Sequence, residues 1–158
     1  MADNPNIYYK YLNFIFAGML LSTLIFLGIS AFFVITGGHG VLDEKDQIVK
    51  TLEYVLIGSI IFFIPSGILL HRRFLSKLEN RQQLQEKLKG YSISLIIKLA
   101  LIELVCYLNI IILLLSGKYL LVLPLIVLIL YIVQNRPSIE RISLELNLSS
   151  HEKEKLTG

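Results

Sequence analysis

The sequence predicts an all-α integral membrane protein: four transmembrane helices in an antiparallel bundle, with both termini cytoplasmic. Three observations carry this reading. The 158 residues are 54% hydrophobic and only 17% charged, where soluble domains average roughly 25% charged, and the mean hydropathy is +0.67. Four apolar runs, at about 12–36, 52–70, 93–115 and 119–134, are separated by glycine-rich or charged breaks. Finally, the lead, the 71–90 loop and the tail hold eleven Lys and Arg, against three in the other connections. Basic residues concentrate on the cytoplasmic side, which puts the protein in a bacterial inner (cytoplasmic) membrane with its N- and C-termini inside.

The membrane domain covers 1–136 and a short cytoplasmic tail covers 137–158. The first apolar run is too long for the core of a cleavable leader and has only Lys10 before it, so it reads as a retained span. Tyr8, Tyr9 and Tyr11 suit the interfacial aromatic belt. Gly18 and Ser22 form a small-xxx-small pair that suits close packing inside the bundle, or a homodimer face. Gly37, Gly38 and Gly40 end this helix. In the loop that follows, His39, Asp43, Glu44 and Asp46 match no metal-ligand spacing, and read as a solvated turn before the next helix.

The second span contains Pro65-Ser66-Gly67, where the missing N–H predicts a kink or local unwinding. Breaks of that kind line binding sites in some transporters but are also ordinary in membrane helices. Pro124 in the fourth span is a partial match. Ser59 and Ser66 share a face of span two and are candidate hydrogen-bond partners for a carboxylate. The segment 71–90 brings Arg72, Arg73, Lys77, Arg81, Lys87 and Lys89 together with leucines at helical spacing. It predicts a helix that leaves the membrane and is interrupted by Gly90 before span three. Its cations fit anionic lipid or a docking partner.

Span three holds the most unusual residue of the chain. Glu103 lies near its middle, about 15 Å from either interface at ~1.5 Å per residue, where a short carboxylate cannot reach water. It must be protonated, paired or turned to a protein or aqueous interior. Tyr107, one turn on, is placed to donate to it, with Ala100 and Cys106 flanking the face. Lys98 is near enough to one end to reach headgroups along its own stem. Asn109 lies on the Lys98 side, so two polar stripes imply protein contacts on more than one side. Span four is short and almost purely aliphatic, the best candidate for a lipid-facing helix. In the tail, 138–146 predicts a short helix stopped at Asn147. Ser149 and Glu152 form a capping box for a second, and both helices are expected to lie on the membrane or on a partner. The sequon Asn147-Leu148-Ser149 falls on the cytoplasmic side.

No phosphate-binding, metalloprotease, nucleophile-elbow or dinucleotide motif occurs. The single cysteine excludes a thiol-pair redox mechanism, and His39, His71 and His151 fall in separate regions. The expectation is therefore no catalytic residue, metal, cofactor or nucleic-acid partner. Two functions remain. The first is a non-catalytic subunit or accessory protein packed against a larger membrane complex. The second is a small oligomeric proton- or ion-coupled carrier or channel that titrates Glu103 during transport.

Overall fold

The computed structural model describes residues 5–37, 40–42, 47–78 and 83–157, and among them every regular element is helical. The order is α1 (Pro5–Gly37), α2 (Gln47–Leu78), α3 (Leu84–Ser116), a 3₁₀ turn (Tyr119–Leu121), α4 (Val122–Gln134), α5 (Ile139–Glu145) and α6 (Ser150–Thr157). Three helices are long and apolar enough to cross a membrane. A fourth is counted if Tyr119–Gln134 and Ile139–Glu145 are taken together, and that pair bends by 81° at the break.

α3 is the organising helix. Half of its apolar stretch is buried, against 17% for α1 and for α2, and α1, α2 and α4 all pack on it. Leu95, Leu99, Ile102, Cys106 and Ile110 of α3 meet Leu12 and Phe16 of α1, Leu56 of α2, and Leu125, Leu128 and Ile132 of α4. Lipid tails are as apolar as leucine, so dispersion and polar contacts hold such helices together rather than hydrophobic burial. That raises the weight of every hydrogen bond between them.

Neither Pro65 nor Pro124 breaks its helix. α2 runs without interruption through Pro65, so the expected unwinding is absent. Two residues on, Gly67 is buried, and a Cβ there would lie 3.5 Å from the Lys98 carbonyl; this stretch brings α2 onto α3. Pro124 falls in the first turn of α4, where no intrahelical N–H bond is due. Gly90 interrupts nothing either. It lies inside α3 against the Leu78 side chain, so the helix begins nine residues before the span assigned from hydropathy.

The opposite end of α3 is closed by backbone contacts. Gly117 takes the left-handed C-cap conformation (φ 67°) and donates its N–H to Leu113 O, as a helix-terminating glycine does. Leu42 N donates to Leu115 O at 2.8 Å, drawing the chain after α1 across that turn. Lys118 Nζ pairs there with Glu53 Oε1 at 2.7 Å.

In the tail, Ser138 caps α5 and accepts from Arg141 N, and Asn147 ends it with φ 49°. Ser149 and Glu152 exchange the capping-box bonds, at 2.8 Å from Ser149 N and 3.3 Å from Glu152 N. Both helices fold onto this chain. Ile142, Leu146 and Leu156 join the core, α6 packs on α1, and Lys87 Nζ reaches Glu152 at 3.4 Å. A segment too short to bury a core of its own completes the core of its neighbours.

Candidate functional site

Glu103 stands at the seam between α1 and α3. Its Oε1 accepts from Ser22 Oγ and from Tyr107 OH, each at 2.8 Å, with Thr23 Oγ1 at 3.5 Å. Tyr107 OH is also 2.9 Å from Ser22 Oγ, and Phe26 packs edge-on against the Tyr107 ring at 5.4 Å. The Tyr107 contact follows from the one-turn spacing. The α1 contacts answer a different question from the one the sequence raised. Ser22 acts as a hydroxyl donor, whereas a Cβ on Gly18 would meet nothing within 4 Å. Ser59 and Ser66 are not partners of the carboxylate; Ser59 Oγ bonds Val55 O in its own helix. α2 packs on the Lys98 side of α3, so its hydroxyls lie round the helix from Glu103.

The seam is only partly closed. Glu103, Tyr107 and Ser22 are all part-exposed, and α3 presents Ile93, Ala100, Leu104 and Ile111 outward beside them. Glu103 Oε2 has no hydrogen bond from any described residue, and no described cation pairs with it. Cys106, which flanks this face by its spacing, is fully buried in the core.

A second polar cluster lies where α2, α3, α4 and α5 converge. Lys98 does not snorkel. It is 5% exposed, and its Nζ donates to Asn135 Oδ1 at 2.6 Å, 5.8 Å from the Tyr131 ring centroid. The same Asn135 oxygen accepts from Arg141 Nη2 at 2.9 Å, while Asn135 Nδ2 donates to Tyr131 O. Arg141 also holds Gln134 O at 2.8 Å and Glu145 Oε1 at 2.8 Å. His71 of α2 lies 3.0 Å by Nδ1 from Ser94 Oγ and donates by Nε2 to Glu145 Oε2 at 3.2 Å. Its ring packs edge-on against Tyr91 at 5.7 Å. The Tyr91 hydroxyl is buried beside Glu145 without a well-formed hydrogen bond.

Ser94, His71 and Glu145 have the composition of a hydrolytic triad, but the packing gives them another task. Ser94 is 2% exposed, and its hydroxyl lies 2.9 Å from Tyr91 O, leaving no approach for a substrate carbonyl. The cluster is a clamp that ties α5 to the membrane helices. It also makes stability depend on pH. Burial alone would raise the Glu145 carboxyl, but the His71 and Arg141 hydrogen bonds, with the Arg141 charge, outweigh it and hold the group at about 2. A depressed carboxylate stabilises the fold above its unfolded value, near 4.3, and that contribution is lost as pH falls towards 2. Thermal unfolding in detergent should lose on the order of 2–3 kcal/mol between pH 5 and 2, and Glu145→Gln should flatten most of that slope.

Asn109 is fully buried, and neither amide atom has a hydrogen-bond partner among the described residues. A buried unsatisfied polar group costs about 1–3 kcal/mol. Asn109→Leu should therefore raise the unfolding temperature, by about 1 kcal/mol equivalent, in a detergent melt.

The remaining candidates are spread out. Pro65, Arg72, Arg73, Lys77 and Lys89 are exposed at α2 and the start of α3, and Lys87 is engaged by the tail. Arg81 and the acidic loop with His39, Asp43, Glu44 and Asp46 lie outside the described residues. Sequence reasoning passed over Thr23, His71, Ser94, Asn135, Arg141 and Glu145. The i,i+4 spacing of Arg141 and Glu145 was the one available signal. The chain matches no known protein family, no curated protein and no solved structure.

Proposed function

We propose that this protein is a small non-catalytic subunit or accessory protein of a larger membrane complex. On this reading four spans form an antiparallel bundle in a bacterial inner membrane, with the clamp, the exposed Arg72, Arg73, Lys77 and Lys89, and both termini on the cytoplasmic side. The observation that carries it is the half-open carboxyl group. Near mid-span, Glu103 satisfies one oxygen with hydroxyls of α1 and α3 and leaves the other beside an outward apolar stripe of α3. Lipid tails offer no hydrogen bond, so a polar group at that depth calls for protein over it. A partner helix lying along Ala100, Leu104 and Ile111 would bring a hydroxyl to Oε2, a group that can donate to a carboxylate or accept from an amide at that position.

The alternative, a proton- or ion-coupled carrier or channel, draws on the linked Tyr107, Ser22 and Glu103 oxygens. That chain spans about one helical turn, ~5 Å, in a hydrocarbon core of ~30 Å. Transport would need further polar groups from other copies.

The two readings separate at Glu103. As a helix-register and docking group, Glu103→Gln keeps an acceptor for Ser22 and Tyr107 and should preserve both assembly and the activity of the complex. Glu103→Leu strands both hydroxyls, should lower stability by about 1–2 kcal/mol, and should release the partner. Retained assembly with lost activity in Glu103→Gln would overturn the subunit reading in favour of transport.

A further inference from the structure

A cleft of about 600 Å³ runs between α1 and the end of α4, lined by Asn13, Phe16, Leu20, Leu24, Val133 and Arg136, among others. Its walls are apolar along their length and polar at one end. From Asn13 to Leu24 is eleven residues, about 16 Å along a helix, which matches one leaflet of a ~30 Å hydrocarbon core. The polar end coincides with the end of both helices that carries the basic residues. Arg136 is exposed there, and its guanidinium meets no described carboxylate, unlike that of Arg141, which the clamp occupies. Lys10, also exposed, precedes Asn13 by three residues on the same face of α1. Asn13 Nδ2 donates to Tyr9 O, which leaves its carbonyl oxygen as an acceptor at the mouth.

We propose that this cleft holds one acyl chain of an anionic glycerophospholipid, with its phosphate between Arg136 and Lys10. The length of the apolar channel selects a chain reaching mid-membrane, and Arg136 on its lining, with Lys10 one turn before Asn13, selects negative over zwitterionic headgroups. The site is separate from the basic residues of α2 and the start of α3: Arg72 and Arg73 are exposed, and the smaller hollow of about 340 Å³ there, lined by Leu78, Glu86, Lys89, Gly90 and Ile93, sets a carboxylate beside its lysine.

The test is native mass spectrometry of the full-length protein in detergent, supplied with dioleoyl phosphatidylglycerol or dioleoyl phosphatidylcholine. The parent should retain one phosphatidylglycerol in preference to phosphatidylcholine. Lys10→Gln and Arg136→Gln should each weaken that retention about fivefold, as loss of one surface cation does. Leu21→Trp, at an exposed position on the cleft wall, should block both lipids while circular dichroism stays unchanged. Arg72→Gln with Arg73→Gln should leave retention intact. Equal retention of the two lipids, undiminished binding by the Lys10 and Arg136 variants, or loss on changing Arg72 and Arg73 would each overturn the proposal.

Discussion

Asn135→Leu is expected to be the most damaging single substitution at the clamp, lowering stability by about 3 kcal/mol. Asn135 Oδ1 is the hydrogen-bond acceptor for the Lys98 ammonium, which is almost wholly buried. Removing the acceptor leaves an uncompensated buried charge and takes one of three bonds from Arg141. Because the penalty comes from the stranded ammonium, it should be largely reversed by removing that too. Lys98→Met in the Asn135→Leu background should recover most of the loss, since an apolar replacement of a buried polar pair is often neutral or better. Asn135→Asp should fold, since a carboxylate can accept from both cations. Thermal melts of the four proteins in one detergent supply the comparison. A double variant no better than Asn135→Leu alone would show that Asn135 acts through its bond to Tyr131 O instead.

Gly40→Ala should be nearly as costly, at about 1–3 kcal/mol or somewhat more. A Cβ at that position would lie 2.5 Å from both Gly117 N and Leu115 O and would also overlap the Ser116 backbone. Those atoms belong to the capped end of α3, where Gly117 is fixed in its left-handed conformation, so nothing nearby is a flexible side chain that could move aside. Relief requires the chain after α1 to lift away and give up the Leu42–Leu115 bond. Gly18→Ala, at a glycine with open space around it, serves as the control and should change stability by no more than a few tenths of a kcal/mol unless a partner covers it. The comparison can be read from melts and from the overall rate of proteolysis.

The contrast between these two glycines shows what the sequence could and could not convey. Hydropathy located the three long helices because length and apolar content are local properties. The capping box of Ser149 and Glu152, and the Tyr107–Glu103 contact, were legible because helical spacing alone brings those pairs together. What failed was everything that depends on which helix lies beside which. Ser59 and Ser66 had suitable chemistry and a shared face, but α1 rather than α2 borders Glu103. Lys98 was close enough to an interface to snorkel, yet α4 places Asn135 within 2.6 Å of it. α1 is apolar around most of its circumference, so no stripe in its sequence shows which side meets α3. The docking of the tail was hidden for the same reason. Ile142, Leu146 and Leu156 mark apolar positions, but only the bend after Gln134 aims them at the chain's own core.

The central claim, that Glu103 and the open face of α3 belong to an interface with another membrane protein, is tested most directly by the native mass and composition of the tagged protein extracted from its own membranes in mild detergent. The account predicts a stoichiometric larger partner that persists in Glu103→Gln and dissociates in Glu103→Leu. Copies of this chain alone, with nothing else bound, would contradict it and make proton or ion flux in liposomes the property to measure.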